Sequence, residues 1–158
     1  MSAKYGLVKI SASDVIRKEI ERHTEVGEAL ARVPLGHLCP DELVIGLMRD
    51  RLMGTDCRMN GWVMEGFPRN AKQAVAMVSL GFEPSHVFFL NASDALVYSR
   101  LEERRMDPFT GKFYSSFIPP PSDEIRLRLT QDPIDDPEVV KVRLRQYKEN
   151  STALMAEF

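Results

Sequence analysis

Three short apolar runs along the chain each stop at turn or cap residues. They are Gly6–Ile10, Trp62–Met64 and Val87–Leu90. A helical pattern of apolar positions follows each run, which indicates βα units and a parallel sheet. We therefore expect three buried strands, with Trp62, Phe88 and Phe89 in the core.

Residues that favour helix starts precede the segments with helical periodicity. They are Ser11 with Asp14, Thr24, Pro40 with Asp41, Asn70, Ser93 or Asp94, and Asp136 before Pro137. Short polar side chains accept hydrogen bonds from the free N–H groups of a first helical turn. The sequence thus predicts six helices, and the last is long and amphipathic. Its inward positions are predicted to be Val140, Leu144, Tyr147 and Leu154.

The segment between the last two helices has a different pattern. Turn residues occupy Asp107–Lys112, and Pro119–Pro121 break any regular element. A segment this short cannot hold its own core and is typical of a flap that closes over a site. We therefore expect a core in residues 1–104, a small β-rich lid in 105–136, and a core helix in 137–158.

Composition limits the class of protein. With 158 residues, 44% of them hydrophobic, the chain is long enough for one domain with a core. The formal net charge of −2 gives no basic excess for a nucleic-acid partner. We see no membrane-spanning run and no signal peptide. Cys39 and Cys57 are too few for a disulfide framework, so we expect reduced thiols in a cytoplasmic protein.

Candidate chemistry is concentrated in residues 61–74, where the second apolar run ends. Ligands of a parallel sheet bind at the carboxyl ends of its strands. There, Glu65 could hold hydrated Mg²⁺ through water, and Gly66 would let a ligand approach the backbone. Arg69 could fork onto a phosphate, and Gln73 could read a base edge. Taken alone, the fragment is read equally well as a tight turn with a solvated Arg69.

Several ordered motifs favour the first interpretation. They are ISASDVIR (10–17), LCPDE (38–42), GWVMEGFPRNAKQA (61–74), RLEERRMDPFTGKFY (100–114), IPPP (118–121) and DDPEVVKVRLRQY (135–147). In this order and over nearly the whole chain, they resemble the adenylate kinase family. The segments HVFFLN, RRMDPFTG and PPPSDEI are most similar in sequence to the cilium-associated type with two kinase domains.

The resemblance implies a P-loop-type α/β fold with a parallel sheet and reversible phosphoryl transfer from ATP to AMP, giving two ADP. It implies Mg²⁺ with ATP and AMP-binding helices within about 13–53. Arg17 and Arg69 match the arginines that hold the AMP phosphate, and Gln73 matches the glutamine that reads adenine. The remaining matched substrate positions are Ala12, Leu38, Cys39 and Gly66. The matched catalytic positions are Arg69, Arg100, Arg104, Arg143 and Asp135, with Glu65 on the metal through water.

Four positions depart from the family pattern. Glu65 stands where most members have Asp, which extends the carboxylate by one methylene. Ser13 replaces a glycine and Ala12 a common Thr, while Pro133 stands where a second lid arginine is expected, with Arg128 nearby but out of register. The lid also lacks the four cysteines of zinc-bearing members, so we expect no zinc. An alternative is that the arginines matched to the family only form surface ion pairs with neighbouring carboxylates, including Asp135.

The sequence contains no G-x-x-x-x-G-K phosphate loop. By the resemblance, the chain would start after the family's first strand, phosphate loop and first helix, and stop before its last strand and helix. The sheet would then be incomplete, so we expect a chain that is poorly stable and inactive alone, or that relies on self-association or a protein assembly.

Two functions remain open at this point. The first is an adenylate kinase-like phosphotransferase, located in the cytoplasm or a cilium, in which this chain supplies the AMP site and the lid. The alternative is a catalytically inactive, kinase-like structural module in a larger assembly such as an axoneme. A uridylate or cytidylate kinase is disfavoured because that class usually has a short lid.

Overall fold

The computed structural model describes residues 2–115 and 121–158, which form helices and short strands. The helices are α1 (Ser2–Tyr5), α2 (Ala12–Glu21), α3 (Glu25–Ala31), α4 (Asp41–Leu52), α5 (Thr55–Asn60), α6 (Ala71–Ser79), α7 (Asp94–Glu102), α8 (Asp123–Arg126) and α9 (Pro137–Met155). The strands are β1 (Val8–Ser11), β2 (Trp62–Glu65), β3 (Arg105–Met106) and β4 (Phe113–Tyr114), with a 3₁₀ turn at Pro133–Asp135.

The chain divides into two compact units, each described here by itself. The first unit comprises Met1–Phe88 with Gln146–Phe158, and the second comprises Phe89–Arg145. Among the described residues, no helix is both long and apolar enough to cross a membrane.

Predicted helix caps account for most of the helix starts. The side-chain oxygens of Ser11, Thr24, Asn70 and Ser93 each accept a hydrogen bond from the backbone N–H three residues later. These bonds satisfy donors that a first turn otherwise leaves free. The four predicted starts are confirmed, as are the starts after Pro40 and Asp136. Helix α5 was not predicted from the sequence.

The sheet of the first unit consists of β1 and β2, which run parallel. Val8 pairs with Trp62 and Ser11 with Glu65, so both strands end at the same edge. Helix α2 packs against α3 and α4, and α4 against α6. The core cluster beneath these helices comprises Ile10, Ala12, Val44, Met48, Leu52, Cys57, Phe67 and Met77. A small parallel sheet flanked by helices is the α/β class that the sequence predicted.

The third apolar run is not a strand, so the prediction for Val87–Leu90 is wrong. Its side chains are exposed, with Phe88 at 67% and Phe89 at 38% of full accessibility, and neither residue is in the core. Extended backbone becomes a strand only when a neighbouring strand pairs its N–H and C=O groups. No other strand among the described residues pairs with this segment. Trp62, by contrast, packs against the core cluster.

The predicted inward face of α9 is only partly buried. Val140 and Leu154 are buried and Leu144 is half-buried, but Tyr147 is 49% exposed, so the prediction for Tyr147 is wrong. A tyrosine tolerates this position because its hydroxyl remains favourable in water.

The second unit contains the predicted short strands around a turn. Strands β3 and β4 are antiparallel, with Arg105 opposite Tyr114 and Met106 opposite Phe113. Between them, Gly111 adopts a φ of 65°, which a glycine reaches without strain. Residues 118–120 of the predicted IPPP break lie outside the described residues. The lid boundary of 105–136 stays a prediction.

Candidate functional site

A narrow cleft of the first unit lies where β1 and β2 end. Its walls come from the start of α2, the loop before α4, and the turn between β2 and α6. The lining residues are Ala12, Ile16, His37, Leu38, Cys39, Val44, Gly66, Arg69 and Gln73. The cavity volume is about 30 Å³, enough for about two water molecules. A nucleotide therefore requires the cleft to widen.

The cleft brings together six of the seven positions that the resemblance assigned to substrate. They are Ala12, Leu38, Cys39, Gly66, Arg69 and Gln73. The seventh, Arg17, is not among the lining residues. It lies on the exposed side of α2, where its guanidinium pairs with Asp14 three residues earlier. Its grouping with Arg69 stays a prediction.

Arg69 is held against the backbone of its own turn. Its Nε donates to the Gly66 carbonyl at 2.8 Å, and one terminal nitrogen lies 3.5 Å from the Ser13 hydroxyl. Gly66 has a φ of 78°, and a Cβ there would lie 3.2 Å from that terminal nitrogen. The backbone conformation therefore favours glycine, and a larger residue would also press on the guanidinium. Ser13, a departure from the family pattern, contacts Arg69 directly.

Cys39 faces the same cleft as a free thiol. Partial burial raises the pKa of Cys39, and the positive charge of Arg69 only partly opposes this effect. The thiol is therefore protonated at neutral pH. Beside it, the Arg69 guanidinium provides positive charge with which a bound anion can pair.

Gln73 is 2% exposed, and both ends of its carboxamide form a hydrogen bond. Its Oε1 accepts from the Arg69 backbone N–H at 2.8 Å, and its Nε2 donates to Oδ1 of Asp41 at 2.8 Å. The same Asp41 oxygen accepts from Asn70 Nδ2 at 2.9 Å. The sequence analysis missed this role of Asp41. The LCPDE motif contains the residue but gives no sign of a partner 32 positions later.

Arg104 and Asp135 form a buried ion pair in the second unit. Two parallel bonds join them, from Nε to Oδ2 at 2.7 Å and from a terminal nitrogen to Oδ1 at 2.5 Å. The Arg104 guanidinium also lies over the Phe113 ring, 4.5 Å from its centroid. An ion pair of Arg104 with Asp135 is the partner choice that the alternative interpretation named, although Asp135 is only 3% exposed.

The other two predicted catalytic arginines belong to the same unit. Arg143 donates to the Ile134 carbonyl at 3.2 Å, which ties α9 to the residue before Asp135. Arg100 lies in the last turn of α7. Their catalytic roles stay predictions.

A second buried pair in this unit, between Asp107 and Arg128, was missed. Two bonds of 2.8 and 2.7 Å join Arg128 to Asp107, which also accepts from the Thr110 hydroxyl and the Phe109 N–H. These donors lower the pKa of Asp107 to about 2, with Arg128 the largest cause. The sequence marked Asp107 as a turn residue, but nothing in the spacing pointed to Arg128.

Among the described residues, no group of three or more His, Cys, Asp or Glu side chains is arranged to hold a metal ion. Glu65 is exposed at the end of β2, and Lys9 Nζ lies 3.2 Å from its carboxylate. The carboxylate is thus paired with Lys9, and the role of Glu65 at a metal stays a prediction.

The motif order and the sheet with its cleft identify the class of protein. A family model described as adenylate kinase matches residues 1–158, and the chain belongs to the adenylate kinase family.

Particular relatives come from plants and animals. The chain is 39% identical over 158 residues to "Probable adenylate kinase 2, chloroplastic" of Oryza sativa subsp. japonica, covering 99% of this chain and 54% of that protein. It is 39% identical over 160 residues to "Adenylate kinase, chloroplastic" of Zea mays, covering 100% and 72%. It is 35% identical over 153 residues to "Adenylate kinase 8" of Rattus norvegicus, covering 96% and 32%.

The chain thus spans about half the length of the first relative and about a third of the last. The family expected from the sequence is confirmed. Relatives called adenylate kinase 8 are among the matches, and the chloroplastic enzymes match at higher identity. The narrower expectation of a cilium-associated type stays a prediction.

Proposed function

We propose that this chain supplies the AMP site of an adenylate kinase-like transferase, which moves a phosphoryl group reversibly from ATP to AMP to give two ADP. The observation that carries this proposal is the cleft of the first unit. It combines a guanidinium, Arg69, with a carboxamide, Gln73, four residues apart at the carboxyl end of a parallel strand. These two groups suit the two ends of a nucleoside monophosphate.

The phosphate would pair with Arg69. Its Nε is bound to the Gly66 carbonyl, so the guanidinium is held in place before a ligand arrives. Charge-assisted, forked bonds from a held guanidinium orient a phosphate as well as attract it. Orientation matters because phosphoryl transfer depends mainly on alignment and charge neutralisation.

The base would lie between the loop before α4 and Gln73. Leu38 and Cys39 line that side, and the protonated Cys39 adds no charge to the base pocket. Arg17 would join Arg69 on the phosphate once its pair with Asp14 opens. That exchange costs little, because an exposed ion pair contributes only about 0–1 kcal/mol.

The second unit would act as the lid. Arg100, Arg104, Arg143 and Asp135 would neutralise and align the phosphates of ATP while closure excludes water. Mg²⁺ bound with ATP would supply further charge neutralisation, with Glu65 touching only its water shell. We propose the cytoplasm as the location, with a cilium as a narrower option, and further association with a protein assembly or with itself.

One observation favours the alternative of an inactive structural module. Arg104 forms two bonds with the buried Asp135, and this pair would have to open before Arg104 could reach a phosphate. A turnover assay distinguishes the two functions. An enzyme forms ADP from ATP and AMP, whereas a module binds AMP without forming ADP.

The binding site is tested with Arg69→Ala and titration calorimetry. Loss of one charge-assisted contact of about 1.5–3 kcal/mol should weaken AMP binding at least about tenfold. The affinity for adenosine, which lacks the phosphate, should fall much less. Arg49→Ala is the matched control, because Arg49 is exposed on α4 and pairs with its neighbour Asp50.

Unchanged AMP affinity in Arg69→Ala would refute the assignment of the phosphate site. Equal losses for AMP and adenosine would show that the substitution disturbs the fold of the cleft instead of removing a phosphate contact.

A further inference from the structure

The Gln73 carboxamide has a single orientation that its neighbours determine. Its Oε1 faces the Arg69 backbone N–H, which can only donate, and its Nε2 faces Asp41, whose ionised carboxylate can only accept. A rotation of the amide by 180° would place donor against donor and acceptor against acceptor. The usual ambiguity between the oxygen and nitrogen of a glutamine is therefore resolved here by chemistry.

Asp41 is itself held in place. Its Oδ1 accepts from Asn70 Nδ2 at 2.9 Å, and Lys72 Nζ lies 3.8 Å from its other oxygen. Asn70 in turn caps α6 by accepting from the Gln73 backbone N–H at 2.9 Å. The first residue of α4 is thus tied to the first turn of α6, directly beside the cleft.

We infer that Asp41 is a positioning residue that sets which purine edge Gln73 reads. With one bond used on each side, the carboxamide keeps one N–H and one lone pair in fixed positions. A 6-aminopurine presents an acceptor ring nitrogen beside a donor amino group, and a 6-oxopurine presents the reverse. A glutamine that is free to turn can pair with either edge, whereas a fixed one pairs with one of them.

This inference rests on the proposed function and deepens it. It states that Asp41 contributes selectivity for a 6-aminopurine nucleoside monophosphate over a 6-oxopurine one without touching the base. Buried polar groups discriminate strongly because the wrong partner leaves them unpaired.

The test compares AMP and IMP, which differ at the 6-position, in titrations of wild type and Asp41→Asn. Asparagine is nearly the same size but can also donate, so only the bond from the Arg69 backbone N–H still selects the orientation of the Gln73 amide. The ratio of the IMP to the AMP dissociation constant should fall at least about fivefold. Glu42→Gln is the matched control, because Glu42 is the adjacent acid and bonds Lys72 of α6 without contacting Gln73.

A structural role alone would weaken AMP and IMP equally and leave their ratio unchanged, and that result would overturn the inference. It would leave the proposed function intact if wild type binds AMP. Failure of wild type to bind either nucleotide would instead overturn both proposals.

A second measurement needs neither a variant nor a nucleotide. In an NMR spectrum of wild type, the Gln73 side-chain NH₂ should exchange slowly with water, with one proton shifted by the carboxylate. Random-coil shifts and fast exchange for both protons would show that the amide turns freely, which would also overturn the inference.

Discussion

Some polar residues form hydrogen bonds to near neighbours in the sequence, and others to residues far along the chain. Caps such as Thr24 and Asn70 bond to a backbone group three residues away, and the residue type alone predicted them. Asp41 and Asp107 bond to side chains 32 and 21 positions away. Such partners depend on tertiary packing, which local sequence patterns do not reveal.

The Asp107–Arg128 pair predicts how the second unit responds to acid. Because the folded pKa of Asp107 is lowered from 3.8 to about 2, its contribution to stability is complete above pH 3.8 and is lost as the pH falls towards 2. We expect slow amide exchange at Gly111, whose N–H donates to the Asp107 carbonyl, from neutral pH down to that window. Hydrogen exchange followed by NMR measures this protection.

Two variants accompany the acid experiment. Asp107→Asn should lower the protection of Gly111 at neutral pH and remove its acid dependence. Asp123→Asn, at an acid that is 95% exposed in the same unit, should change neither. Loss of protection in wild type already between neutral pH and pH 3.8 would contradict the account.

Helix α3 is held against α2 by close backbone contact at Gly27. A Cβ at Gly27 would lie 2.8 Å from the Glu19 carbonyl carbon and still closer to its oxygen. Alanine normally favours a helix by about 1 kcal/mol over glycine. Here the overlap should outweigh that gain, since overpacking costs about 1–3 kcal/mol.

Gly27→Ala is therefore expected to destabilise the first unit by about 1–3 kcal/mol in urea unfolding. Fluorescence of Trp62, the only tryptophan of the chain, reports on this unit. Gly46→Ala is the control, because nothing lies within 4 Å of a Cβ there, and it should be neutral or stabilising. Stabilisation by Gly27→Ala would show that the α2–α3 contact is looser than described.

Element types were easier to predict than pairing. Periodicity and caps predicted six of the described helices and the strands β1 and β2, because these patterns are local. The same reasoning was wrong for Val87–Leu90, since an apolar run shows that a segment can be buried but not that a neighbouring strand is present to pair with it. The cleft itself was predictable, because motif order placed Gly66 and Arg69 at a strand end.

The molecule as a whole consists of a unit with the cleft and a unit with two buried ion pairs, matched over residues 1–158 by one family model. Family membership is established by that match, while the assignment of AMP to the cleft rests on Arg69 and Gln73. The contacts of Ser13 with Arg69 and of Asp41 with Gln73 came only from the structure.

The most direct test of the central claim is an NMR titration of the ¹⁵N-labelled protein with AMP. We expect saturable shift changes centred on the cleft, at Leu38, Cys39, Gly66, Arg69 and Gln73, with adenosine affecting Arg69 least. No saturable change, or changes confined to residues outside the cleft, would contradict the claim that this chain binds a nucleoside monophosphate there.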